Sequence, residues 1–181
     1  TATAQQMQGL ETGADDYVVK PFHAGLLRIR IHNLIQSRRQ LRDRFRTELL
    51  IEPSDVTVTS IDEQFLAKAL QIIEKHMDDP HFTVDYLVEG LAMSRTAVFT
   101  KFKDLTDLTP GSFIRLVRLK RAAQLLADAD LTVAQVTYAV GYNDLKYFRK
   151  CFYDQFGLNP SEYARKPHDE QAHLMRKARP V

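Results

Sequence analysis

At 181 residues with 44% hydrophobic side chains, the chain is long enough for one or two small domains with a buried core. Its formal charge of +2 assigns no partner by itself, and no run approaches the ~18 consecutive apolar residues of a membrane-spanning helix. The single cysteine, Cys151, excludes an internal disulfide, and six scattered histidines (His23, His32, His76, His81, His168, His173) lack metal-ligand spacing.

Residues 9–22, GLETGADDYVVKPF, read as a helix end, a Gly turn, a short buried strand Tyr17-Val18-Val19 and then Lys20-Pro21. From the residues alone, Lys20-Pro21 is a strand-ending turn. The stretch resembles the last strand and loop of the receiver domain in two-component response regulators. That resemblance implies a switch set: Lys20 neutralising a phosphorylated aspartate, Pro21 following a cis bond, and Tyr17 changing rotamer on activation. The phosphate-accepting aspartate would lie upstream of Thr1, so residues 1–38 are expected to be an α/β receiver remnant of a longer protein, itself not phosphorylated in the receiver manner. Residues 23–45 form an expected amphipathic helix, apolar at Leu26, Leu27, Ile31, Leu34, Ile35 and Leu41. Its arginine-rich face (Arg28, Arg30, Arg38, Arg39, Arg42, Arg44, Arg46) reads as solvated, with protomer pairing or DNA phosphates as alternatives. A linker covers 39–61, extended over 52–60 by its Pro and β-branched residues.

Ser60 or Asp62 then caps a helix reaching about Met77, with Phe65, Leu66, Ala69, Leu70, Ile72 and Ile73 inward. Residues 83–106 read as a short helix, a turn, and a second helix capped by Ser94 with Val98, Phe102 and Leu105 inward. A long helix over 110–127 follows, opened by Pro110. Its rise of ~27 Å is suited to holding two recognition helices about one duplex turn (~34 Å) apart.

Residues 132–156 repeat that layout: Val133, Val136 and Val140 at helical spacing, Gly141 as a left-handed residue, Asn143-Asp144 as a cap, and Phe148 and Phe152 inward. Thr83, Val84, Leu87 and Leu91 align with Thr132, Val133, Val136 and Val140 at an offset of 49. Past the turn the offset is 50, pairing Ser94 with Asp144, Val98 with Phe148, Phe102 with Phe152, Pro110 with Pro160 and Phe113 with Tyr163. Two copies of a helix-turn-helix pattern are far more specific than one helical hairpin. Through LAMSRTAVFTKFKDLTDLTPGSFIRLVRLKRAAQLL and VTYAVGYNDLKYFRKCFYDQFGLNPSEYARK, residues 62–166 resemble the DNA-binding domain of the AraC/XylS family of bacterial transcription regulators. The resemblance implies a mainly α, homeodomain-like fold of two helix-turn-helix subdomains joined by a linker helix. With the receiver end and connector, it implies a hybrid two-component regulator, its intact parent anchored in the inner membrane and this part cytoplasmic.

From Ser94 to Arg121 there are seven basic residues against two acidic ones, the distribution expected of a basic face. In the first recognition helix Arg95, Thr96, Phe99 and Thr100 point outward as base readers; Phe99 suits a thymine methyl, or packs on the neighbouring helix. The family commonly has arginine where Thr100 stands, so this half is expected to read sequence weakly. In the second helix Leu145, Lys146, Arg149 and Lys150 occupy positions that face base edges in the family, and Lys146 and Lys150 suit phosphate equally well. The planar fork of Arg149 matches guanine O6 and N7. Ser94, Lys101, Lys103, Asn143 and Tyr153 are phosphate candidates. The 167–181 tail is polar and expected to be disordered.

The expected function is sequence-specific transcription regulation through double-stranded promoter DNA, with self-association in the intact protein and RNA polymerase as further partners. No cofactor, metal or catalytic residue is expected, since neither a Gly-rich phosphate loop nor a nucleophile-and-base constellation is present in the sequence. The competing reading is a protein-interaction or dimerisation module whose helix-turn-helix units no longer read DNA.

Overall fold

The structure is a computed structural model that describes residues 61–127 and 131–177, with scattered positions between 18 and 36. Tyr17, Lys20, Pro21 and the connector 52–60 lie outside the described residues. Of the expected strand at 17–19 only Val18 is described, and it is in no regular element. The described positions between 24 and 36 are helical, as the amphipathic pattern requires, and Ile31 and Ile35 are exposed. Among the described residues every element is a helix.

From residue 61 onward the order is α1 (Ile61–Lys75), α2 (Val84–Leu91), α3 (Arg95–Thr106), α4 (Pro110–Ala127), α5 (Val133–Ala139), α6 (Leu145–Phe156), α7 (Pro160–Ala164) and α8 (His168–Lys177). Local chemistry sets these limits. Asp62 and Glu63 at the start of α1 and Lys75 at its end complement the helix dipole. Ser94 Oγ accepts from Ala97 N at 3.2 Å and an Asp144 carboxylate oxygen from Tyr147 N at 2.7 Å, fixing the starts of α3 and α6. A Thr132/Gln135 capping box opens α5, and at α7 the Glu162 carboxylate accepts from Asn159 N at 2.9 Å behind Pro160.

The repeat is visible in the backbone. Ala92 (φ 55°) and Gly141 (φ 75°) are the left-handed residues of the two turns, and Asp107 (φ 63°) and Gly157 (φ 72°) end α3 and α6. It is visible in the packing as well, where Phe102 meets Phe113 at 4.8 Å and Phe152 meets Tyr163 at 5.4 Å between ring centroids. The first core joins α1, α2, α3 and the N-terminal half of α4 around Leu87, Val98, Phe102, Leu105 and Phe113. The second joins the other half of α4 to α5, α6 and α7 around Leu119, Leu126, Val136, Phe148, Phe152 and Tyr163. Each of these side chains is essentially fully buried, stabilising the fold by roughly 1.5–3 kcal/mol apiece before entropy is counted.

The C-terminal expectation is corrected. Residues 168–177 form α8 and dock rather than trail as a disordered tail. Gln171 is buried; its Nε2 donates to Tyr163 O at 3.0 Å while the Tyr163 hydroxyl donates to Gln171 O at 3.2 Å, and Leu174 and Met175 pack on the second core. Burial pushes the Tyr163 phenol up to about 12. Asp169 and Glu170 in the first turn stabilise a helix whose composition alone reads as solvent-seeking.

Candidate nucleic-acid interface

α3 and α6 are the second helices of the two helix-turn-helix units, and each buries one stripe. In α3 this stripe is Val98, Lys101, Phe102, Leu105 and Thr106; in α6 it is Phe148, Cys151, Phe152, Gln155 and Phe156, residue for residue at the offset of 50. The opposite faces therefore correspond too. Arg95, Thr96, Phe99, Thr100 and Lys103 on α3 stand where Leu145, Lys146, Arg149, Lys150 and Tyr153 stand on α6. All are exposed except Phe99 and Leu145, which are half-buried, and Leu145 packs against the second core. Ser94 and Asn143 are exposed at the two turns, Ser94 with its oxygen committed to the cap.

The two faces differ in electrostatics. On α3 the cations are compensated internally. Arg95 pairs with Asp85 of α2 and lays its guanidinium over Phe99, 5.2 Å from the ring centroid. Lys103 pairs with Asp107 at 2.7 Å. Both pairs are exposed and each is worth at most about 1 kcal/mol, so a phosphate can displace the carboxylate. Lys101 is another matter. It is 7% exposed, 2.8 Å from the Asp62 carboxylate of α1 and 5.7 Å from the Phe65 ring centroid. A lysine so enclosed is an internal tie between α1 and α3, so the expectation of a phosphate contact does not fit this position.

On α6, Lys146, Arg149 and Lys150 are exposed and have no ion-pair partner among the described residues. With Tyr153 they form one continuous face, cationic and free to meet phosphates or base edges. Two exposed aromatic residues escaped the sequence reading. Tyr147 is exposed and lies 6.0 Å from the ring of buried Tyr142, and a hydrogen bond with Cys151 raises its phenol pKa. Tyr138, on α5, is 60% exposed. A helical wheel would have placed Tyr147 off the buried stripe.

Residues 87–166 match the family model described as a helix-turn-helix domain. "Histidine kinase P4" of Formosa agariphila is 44% identical over 158 residues, covering 87% of this chain and 12% of its own. The DNA-binding domain of AdpA, solved in complex with a target DNA, is 26% identical with a TM-score of 0.50, over 59% of this chain and 91% of that one. The C-terminal domain of AraT, a response regulator from Geobacillus stearothermophilus, shares the fold at 24% identity and a TM-score of 0.52, over 61% of this chain and 88% of that one. The chain spans between 12% and 39% of the lengths of the curated relatives it matches. Duplicated helix-turn-helix units on one linker helix, matched in sequence and in fold, make residues 87–166 a helix-turn-helix domain.

Proposed function

We propose that this chain is a sequence-specific DNA-binding transcription regulator that places α3 and α6 in successive major-groove segments of one duplex face. The observation that supports it best is the α6 face, where Lys146, Arg149 and Lys150 are exposed and have no ion-pair partner among the described residues, on a helix whose other side is locked into the core. Backbone attraction supplies affinity through the lysines and the α3 cations, and Arg149 reads a base edge. α3 contributes less discrimination, because Thr96 and Thr100 offer short contacts and Arg95 is shared with Asp85. Leu145, half-buried, adds an apolar contact at most, and Tyr153, Lys103, Ser94 and Asn143 flank the grooves as phosphate partners.

The chain serves as the output end of a longer phosphorelay protein, in which Tyr17, Lys20 and Pro21 belong to the receiver and phosphorylation changes how protomers pair. The alignment of the Formosa agariphila kinase over 87% of the chain supports this context. Self-association, contact with RNA polymerase, a cytoplasmic site of action and a membrane-anchored parent belong to the same proposal. Selection of bound duplexes from a random pool tests it. Enrichment of two short motifs about one helical turn apart is expected. Failure to enrich any motif, with self-association retained, would favour a protein-interaction module instead.

A further inference from the structure

The two units are joined by more than α4. Residues 113–117 of that helix face the first core and 119–126 the second, an arrangement that by itself lets two small units bend about their connector. A second connection runs through the loop after α1. Met77 of that loop packs against both cores. Arg118, in the middle of α4 and 8% exposed, reaches across with both ends of its fork: Nη2 donates to Asp79 O at 2.6 Å and Nη1 to Gly141 O at 3.3 Å. Asp79 belongs to the loop of the first unit, and Gly141 is the turn residue that leads into α6.

The seam is closely built. A Cβ on Gly141 would stand 2.5 Å from Met77 O and 2.7 Å from an Arg118 terminal nitrogen, so the turn approaches the loop as only glycine allows. Burial disfavours the Arg118 charge, and its Nε has no acceptor among the described residues. Ile114 and Ala122, four residues to either side, are buried on the same stripe, so an apolar side chain would satisfy local packing there. What an apolar side chain lacks is a planar fork that binds carbonyls from two units at once.

We infer that Arg118 is a positioning residue: by tying the Asp79 loop to the Gly141 turn it fixes the orientation of α6 relative to α3, and so restricts the chain to one spacing of its two DNA motifs. This rests on the DNA-reading function proposed above. Rigid coupling gives a two-motif duplex an advantage over a one-motif duplex that is on the order of 100-fold when the geometry fits.

The test uses the 181-residue chain and duplexes selected by it from a random pool, in three forms: intact, with one motif scrambled, and with about half a helical turn inserted between motifs. The wild type should lose on the order of 100-fold on the insertion. Arg118→Met, and Arg118→Lys, which keeps the charge and loses the fork, should lose about 10-fold or less while binding the one-motif duplex within about 2-fold of wild type. Unchanged spacing discrimination in both variants would overturn the inference. So would an equal loss on one-motif and two-motif duplexes, the mark of a merely structural residue. An independent readout needs no DNA: spin labels at Glu89→Cys and Asp154→Cys in a Cys151→Ala background should give a broader distance distribution with Arg118→Lys, and an unchanged one would refute the clamp. If the wild type binds no duplex, the DNA-reading function fails and the distance measurement alone decides the clamp.

Discussion

Gly141→Ala and Gly157→Ala form a matched pair, since both residues have left-handed backbone and differ in what surrounds them. Gly157 (φ 72°) has nothing within 4 Å of an added Cβ, so its substitution costs only the left-handed strain, about 1–2 kcal/mol, less the ~0.4–1 kcal/mol gained from a stiffer unfolded chain. Gly141 (φ 75°) carries the same strain plus a Cβ 2.5 Å from Met77 O, and that oxygen is backbone that cannot swing away. Overpacking adds about 1–3 kcal/mol, and displacing the Arg118 guanidinium from Gly141 O forfeits a charge-assisted bond worth roughly 1.5–3 kcal/mol. The expected cost is therefore about 1 kcal/mol at Gly157 and about 3.5–7 kcal/mol at Gly141, a large part of the ~5–15 kcal/mol of a whole domain. Urea unfolding followed by far-ultraviolet circular dichroism measures both. Costs within about 1 kcal/mol of each other would show that the loop and turn are not in firm contact, and the reasoning would fail.

Lys120 and Lys101 give two further tests. Burial pulls the Lys120 ammonium from 10.5 down to about 8, so between those values the unfolded chain binds more protons than the folded one. Its penalty is full below pH 8, on the order of 3 kcal/mol, and is relieved as the pH rises to 10.5. Lys120→Met should therefore stabilise the chain at pH 7 by roughly 1–3 kcal/mol and remove that rise; a variant no more stable at pH 7 would contradict the assignment. For the enclosed Lys101–Asp62 pair, Asp62→Ala should cost about 3–5 kcal/mol, whereas Lys101→Met with Asp62→Leu should cost far less. Equal losses in single and double variants, read by thermal unfolding, would mean the pair is not the tie described.

Much of this architecture was legible in the sequence because it is local. The limits of α4, the Ser94 and Asp144 caps, the left-handed Gly141 and the duplicated apolar stripe are all written in residues a few positions apart. Lys101 was legible as well and was misread: three residues after Val98 and four before Leu105, it falls on the inward stripe, yet its charge suggested a phosphate. Arg118 likewise falls on an inward stripe, between Ile114 and Ala122. The Arg95–Asp85 pair spans a turn and the Asp62–Lys101 pair spans 39 positions, so neither follows from periodicity. α8 was missed because its polar composition reads as solvated; what orders it is the reciprocal bonding of Gln171 with Tyr163, a contact that exists only once the second core has formed.

The central claim, that the exposed face of α6 reads sequence, is tested most directly by binding the selected duplex and a scrambled one to wild type and to Arg149→Ala across a range of salt. A base contact predicts a loss of about 1–3 kcal/mol on the selected duplex, little change on the scrambled one, and a lowered specificity ratio. Lys146→Ala and Lys150→Ala should weaken both duplexes alike and reduce the salt slope by about one each. Arg149→Ala weakening both duplexes equally, or neither, would contradict the account.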